Sequence, residues 1–150
     1  MYKLRFDGAS KGNPGICGAG FLIYKDDKAI YKGYAVVSLK NTNNYAEYCS
    51  ILLGIKKALE LDIKSLTVEG DSNLVINQLN QKYEVRSENL KPLYEKIIES
   101  LIDFDEIIFE HIYRTKNTEA DRLANLAIKK YYSLDKTTAD LEVIDVLSLY

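Results

Sequence analysis

The 150-residue chain contains no tryptophan, one histidine, one methionine, two prolines and two cysteines. The cysteines, Cys17 and Cys49, are too few for a disulfide scaffold and lack zinc-site spacing, so we expect buried thiols. No apolar run is long enough to span a membrane. The first residues, MYKLRFDG, do not read as a basic segment followed by an apolar one, as a secretion signal would. These absences argue against disulfide-rich, zinc-dependent and membrane-spanning classes, and predict a cytoplasmic protein.

An excess of positive charge is also missing. The chain has 20 basic and 22 acidic residues, a net charge of −2, whereas a nucleic-acid binder usually carries a basic surface. Removing from the 22 acids the four that are singled out below leaves 18, fewer than the 20 bases. The composition therefore argues against strong nonspecific affinity for nucleic acid but does not exclude binding. The 47% of hydrophobic residues fits one globular domain with its own core.

Hydrophobic periodicity predicts three strands joined by short turns, at about residues 2–7, 18–24 and 29–37, then a helix that starts within 41–44. A strand through Leu66 and Val68, helices at 74–79 and 89–102, a strand at 107–113 and a helix with an apolar stripe over 120–128 follow. This order predicts an α/β fold with a five-stranded mixed sheet, three antiparallel strands and then parallel βαβ units, and helices on both faces.

Residues 1–133 are predicted to form this domain, and residues 134–150 a separate C-terminal tail. The apolar residues Leu141, Ile144 and Leu147 follow helical spacing, which is unusual for a solvated tail. We therefore expect the tail to dock on its own domain or on a second copy. Four acidic residues should keep it away from a nucleic-acid groove: Asp135, Asp140, Glu142 and Asp145.

Four carboxylates lie in distinct polar segments. These are Asp7 in DGASKGNPG, Glu47 in TNNYAE, Asp71 in EGDSN and Asp121 in RTKNTEAD. Each is expected at the edge of a separate strand or helix, so a fold can gather them at one point. Such a cluster repels itself unless cations bind, and oxygen ligands suit Mg²⁺ or Mn²⁺. Carboxylates that hold two metal ions are the usual apparatus for displacement at phosphorus. The pattern indicates a metal-dependent nuclease.

Each carboxylate also has a simpler interpretation. DGASKGNPG is rich in turn formers, and Thr118–Asp121 matches a capping box, in which Asp121 would bind only a backbone N–H. Glu47 could be a first-turn acid favoured by the helix dipole. Ser72 could cap a helix, a role that is compatible with a metal ligand at Asp71. Asp7 has the weakest such alternative, because strand interiors disfavour aspartate.

In this order and over about 125 residues, the four segments resemble the signatures of the ribonuclease H family, type 1, in a compact form. The resemblance implies an endonuclease that hydrolyses the RNA strand of RNA/DNA hybrids without sequence preference and leaves 5′-phosphates. It implies two Mg²⁺ ions, with Mn²⁺ as a substitute, held by the same four carboxylates. Asp7 would bridge both ions, Glu47 and Asp71 would hold one, and Asp121 would hold the other. The partner implied is the hybrid itself, bound by a monomer with no obligatory protein partner.

The resemblance also assigns substrate contacts to polar residues of the same segments. Asn13, Asn43 and Asn44 match residues that contact the nucleic acid and read a ribose 2′-OH, and Thr42 and Asn13 match residues that hold a phosphate of the DNA strand. The further candidate contacts are Ser72, Asn73, Arg114 and Asn117.

The chain departs from the family's bacterial pattern at two places. The segment from Asn80 to Arg86 is short and only mildly basic where those members carry a basic, aromatic protrusion. The single histidine, His111, is predicted as a packed or hydrogen-bonded strand residue, and Arg114 as the basic residue beside the site. Two alternatives are a non-catalytic binding module that keeps the fold and a related nuclease that also cuts double-stranded RNA.

Overall fold

The computed structural model of the chain describes residues 1–133 and 143–150. Its five strands are β1 (Tyr2–Lys11), β2 (Gly15–Lys25), β3 (Lys28–Asn41), β4 (Ser65–Gly70) and β5 (Glu106–His111). They form one sheet in the order β3-β2-β1-β4-β5. β1, β2 and β3 pair antiparallel, whereas β4 runs parallel to both β1 and β5. The mixed five-stranded sheet predicted from the sequence is confirmed.

Four α-helices connect or follow these strands: α1 (Asn43–Glu60), α2 (Asn73–Leu79), α3 (Lys91–Ser100) and α4 (Thr118–Ser133). The first two begin at side-chain caps, because Thr42 Oγ1 accepts from Tyr45 N at 3.2 Å and Ser72 Oγ accepts from Val75 N at 3.3 Å. The helix predicted over 89–102 is shorter in the structure and has its proline in the first turn. None of the helices in the described ranges is both long and apolar enough to cross a membrane.

The helices cover both faces of the sheet, as predicted. On one face, α1 packs against the buried side chains of Leu4 and Phe6. On the other face, Ala120 and Leu123 of α4 pack against Leu22 of β2. Since β1 and β2 are thus covered on both faces, side chains on them lie close to both helices.

Residues 143–150 lie against the domain. Ile144 N donates to Val36 O at 2.9 Å, Val146 is fully buried in the main core, and the Tyr150 hydroxyl donates to Leu52 O. Among these residues only a short 3₁₀ turn, Val146–Leu149, is helical. Residues 134–142, with three of the tail's acids and Leu141, lie outside the described residues. The division at residue 133 and the docking of the whole tail stay predictions.

Candidate active site

Three carboxylates meet where β1, β4 and α1 come together. Asp7 lies in β1, and Asp71 directly follows β4, which runs parallel beside β1. Glu47 lies in the second turn of α1, so the first-turn interpretation of this acid is wrong. A side chain at Gly8 would overlap the backbone of Ala46 and Glu47, so glycine allows the helix to approach the strand. Oxygen atoms of the three acids lie within 4.8 Å of one another.

Asp121 lies at the edge of this cluster, in the first turn of α4. It lines the same cavity of about 340 Å³ as the other three acids but is not among the atoms within 4.8 Å of one another. Its Oδ1 accepts from Asn125 Nδ2 at 3.3 Å, and Asn125 also lines the cavity. The fold therefore brings all four predicted carboxylates to one cavity.

The acids at the centre of the cluster are buried without a protein cation. Asp7 is 7% exposed and Glu47 is 4% exposed. Within residues 1–133 and 143–150, neither acid forms an ion pair with a lysine or arginine. Burial first, and then the charge of Asp71, raises the pKa of Asp7 from 3.8 to about 7. Burial and the neighbouring Asp7 raise the pKa of Glu47 well above its ordinary value. The protein alone does not stabilise these carboxylates in their charged form.

The donor set fits a hard divalent cation. All the candidate ligand atoms are carboxylate oxygens, which Mg²⁺ and Mn²⁺ prefer. Glu47 Oε2 is buried and has no hydrogen-bond partner among the described residues. A buried acceptor without a partner is costly, and a bound cation would remove that cost. The residues present therefore fit a metal site.

The amides predicted to contact nucleic acid lie together at the N-terminal end of α1. Asn13 Oδ1 accepts from Asn43 N at 3.1 Å, and Asn43 Oδ1 accepts from Ser10 N at 3.1 Å. These bonds join the end of β1 and the loop after it to the first turn of α1, beside the cap residue Thr42. Asn13 and Asn43 are exposed, and the bonds use only their carbonyl oxygens, so each NH₂ group is available to a ligand. Asn44 is half-buried next to them.

The remaining predicted contacts divide into surface and buried residues. Ser72 and Arg114 line the carboxylate cavity, and Asn73 is exposed beside Ser72. Asn117, in contrast, is 2% exposed, and its Nδ2 donates to Phe6 O at 2.9 Å and to Asp71 Oδ1 at 3.1 Å. These hydrogen bonds allow Asn117 to hold Asp71 in place, and its predicted contact with substrate stays a prediction.

His111 is the last residue of β5 and is exposed, with its ring 6.1 Å from that of Tyr113. The strand position is as predicted, but the packed environment is not. It does not line the carboxylate cavity, whereas Arg114 does. Asn125 also lines the cavity and was not predicted from the sequence, although it lies four residues after Asp121 and therefore on the same face of α4.

Comparison with known proteins yields consistent matches. Residues 5–127 match the family described as reverse transcriptase-like. The chain is 34% identical over 123 residues to the bifunctional protein Rv2228c of Mycobacterium tuberculosis, covering 81% of this chain and 34% of that protein. It is 32% identical over 123 residues to ribonuclease HI of Halobacterium salinarum, covering 82% of this chain and 62% of that enzyme. The chain thus spans about a third of the length of the Mycobacterium protein and less than two thirds of the length of the Halobacterium enzyme.

Two solved structures share the fold closely. RNase H1 of Halobacterium salinarum superposes with a TM-score of 0.82 at 31% identity, covering 86% of this chain and 98% of that one. LC11-RNase H1, solved in complex with an RNA/DNA hybrid, superposes with a TM-score of 0.83 at 29% identity. That match covers 89% of this chain and all of the other.

Proposed function

The chain belongs to the reverse transcriptase-like family, within the ribonucleases H, and on this premise we propose that it hydrolyses the RNA strand of RNA/DNA hybrids as a metal-dependent endonuclease without sequence specificity. The observation that carries the proposal is the buried cluster of Asp7, Glu47 and Asp71 with Asp121 beside it. A binding module would have no need of buried acids that lack a protein cation. The complex of LC11-RNase H1 with a hybrid supports the substrate class.

Asp7, Glu47, Asp71 and Asp121 would together hold two Mg²⁺ ions, for which Mn²⁺ would substitute. The ions, when bound, would activate the attacking water and stabilise the leaving 3′-oxygen, so that the downstream fragment keeps a 5′-phosphate. The protein fixes two ligands through its own hydrogen bonds: Gly8 N donates to Asp7 Oδ1 at 2.9 Å, and Asn117 Nδ2 donates to Asp71. These bonds orient the acids before any cation arrives.

Substrate selection would come from the edge of the cavity. The exposed amides of Asn13 and Asn43 would donate to a ribose 2′-OH or to a backbone oxygen, the groups that distinguish and position an RNA strand; their carbonyl oxygens already accept backbone hydrogen bonds. Thr42 would hold a DNA-strand phosphate together with Asn13. Arg114, in the lining of the cavity, would offer positive charge to the phosphate under attack. None of these contacts reads base edges, which accords with the absence of sequence preference.

The direct test is a cleavage assay with end-labelled hybrid, double-stranded RNA and double-stranded DNA of one sequence, each with Mg²⁺, Mn²⁺ or EDTA. We expect internal cuts in the RNA strand of the hybrid, with 5′-phosphate ends, only when metal is present. Cleavage of double-stranded RNA at a similar rate would broaden the substrate class. No cleavage of any RNA by purified protein that binds the hybrid would favour the non-catalytic module. The monomeric state and the cytoplasmic location stay predictions.

A further inference from the structure

A second cavity of about 570 Å³ adjoins the carboxylate cavity. It is an open groove between the end of β1 and the C-terminal half of α4. Ser10 and Asn125 line both cavities, so the groove continues directly from the acids. Its lining residues, from the two sides, are Ser10, Lys11 and Gly12 and Asn125, Ile128, Lys129 and Tyr132.

The α4 side of the groove begins at Asn125, one helical turn after Asp121. Asp121, Asn125, Lys129 and Tyr132 are spaced by four, four and three residues, so they follow one face of the helix. At 1.5 Å per residue, Lys129 lies about 12 Å along the helix axis from Asp121, and Tyr132 about 16 Å. A nucleic-acid strand held at the acids would reach these residues within a few nucleotides.

The groove has the chemistry of a nucleic-acid contact. Lys11 and Lys129 are exposed, and neither forms an ion pair with a carboxylate in the part of the chain that the structure describes. Lys11 Nζ lies 4.8 Å from the ring centroid of Tyr132, and that tyrosine is 54% exposed. The two ammonium groups suit backbone phosphates, and the exposed ring beside Lys11 suits a sugar or an unstacked base.

We propose that the groove of Lys11, Lys129 and Tyr132 is a second nucleic-acid contact, which binds the backbone of the cleaved strand a few nucleotides from the bond that is cut. This inference rests on the proposed function, because it extends the path of that substrate. It also adds positive charge to that of the short, mildly basic 80–86 segment. The groove provides affinity, whereas the carboxylate cavity provides the chemistry.

The first test measures binding without cleavage, in protein that also carries Asp7→Asn. Fluorescence anisotropy with a labelled hybrid gives Kd at several salt concentrations for the parent, for Lys11→Gln/Lys129→Gln and for the control Lys130→Gln. Lys130 neighbours Lys129 but faces β3, where it lies 5.0 Å from the ring centroid of Tyr34. We expect the double variant to bind about tenfold more weakly and its salt slope to fall by about two. The control should match the parent.

The second test locates the contact on the strand. In catalytically intact protein, KM is measured for duplexes whose cleaved strand is DNA except for four central ribonucleotides, with either flank shortened. The double variant should raise KM for full-length duplexes, and removing one particular flank should abolish that difference. Tyr132→Ala should show the same dependence on the flank.

Outcomes separate the two proposals. A double variant with the Kd and salt slope of the parent, or a KM defect that persists when either flank is removed, overturns the groove proposal alone. Failure of the unmodified protein to bind or cut hybrid overturns the proposed function, and the groove proposal with it. Since both lysines are exposed, matched melting temperatures of parent and variants will show that folding is intact.

Discussion

Two buried acids on neighbouring strands have opposite surroundings. Glu69 in β4 is 4% exposed, and its carboxylate lies 3.0 Å from Arg5 Nε and 3.8 Å from Lys3 Nζ. Arg5 also donates to Lys116 O at 3.1 Å and lies 5.1 Å from the ring centroid of Tyr24. Asp7 in β1 is similarly buried, but its charged neighbours are other acids.

Glu69, a buried acid that holds two strands together, has basic side chains of the protein beside it. The Arg5–Glu69 pair joins β1 to β4, and through Lys116 O it fixes the turn that leads into Asn117. Asp7 and Asp71 lie only two residues beyond Arg5 and Glu69, yet among the residues that the structure describes none of the cavity acids forms an ion pair with a lysine or arginine. We infer that their charge is left for an external cation, and the following predictions test this contrast.

The largest effect is expected from Asp7→Asn. The change keeps the size of the side chain but removes the charge that both ions would share. Cleavage of the hybrid should fall by several orders of magnitude while circular dichroism stays unchanged. If a tenth of the activity remained in a steady-state assay, Asp7 would not be the central ligand.

A large effect on stability should come from pH. In metal-free protein the folded-state pKa of Asp7 is raised to about 7, so the native state holds a proton that the unfolded chain releases near pH 4. The free energy of unfolding should therefore fall as pH rises from about 4 to 7, by as much as a few kcal/mol. Asp7→Asn should reduce this dependence in urea titrations with EDTA, and the part that remains belongs to Glu47, whose pKa is also raised. An identical pH profile in both proteins would show that Asp7 does not hold this proton.

Removing the charge of Glu69, which forms an ion pair with Arg5, should destabilise the protein. Glu69→Gln leaves Arg5 without its buried partner and should lower the free energy of unfolding by about 1–3 kcal/mol. The control is Glu60→Gln, which breaks the exposed pair with Lys56 and should change little. Stability would be measured by urea denaturation with and without Mg²⁺. A stabilising effect of Glu69→Gln would remove the contrast between the two sites.

A smaller effect separates Arg114 from His111. Arg114→Ala removes a cation from the edge of the cavity, so kcat should fall or KM should rise, by about tenfold. His111→Gln, at an exposed position outside the cavity lining, should leave both constants nearly unchanged. A turnover defect in His111→Gln with normal Arg114→Ala would exchange the two assignments.

The sequence was sufficient to predict the sheet, because segment 2–7 alternates between apolar and polar residues and segment 18–24 is almost entirely small or apolar. It was also sufficient to identify the four acids that line one cavity, since each lies in a recognisable motif. It did not predict the burial of Asn117, because an asparagine before a helix looks the same whether it caps, contacts substrate or bonds Asp71. The Arg5–Glu69 pair was equally hidden, since only the parallel register of β1 and β4 makes these residues neighbours. Burial and partners across strands depend on packing, which periodicity alone does not specify.

The central claim is that the cavity acids bind a divalent cation, and a melting experiment with added metal tests it most directly. Millimolar Mg²⁺ or Mn²⁺ should raise the melting temperature of the unmodified protein at pH 7.5, because metal bound only to the native state stabilises it. The increase should shrink in Asp7→Asn and persist in Glu60→Gln. An unchanged melting temperature across the Mn²⁺ titration, with no binding heat by calorimetry, would contradict the metal site.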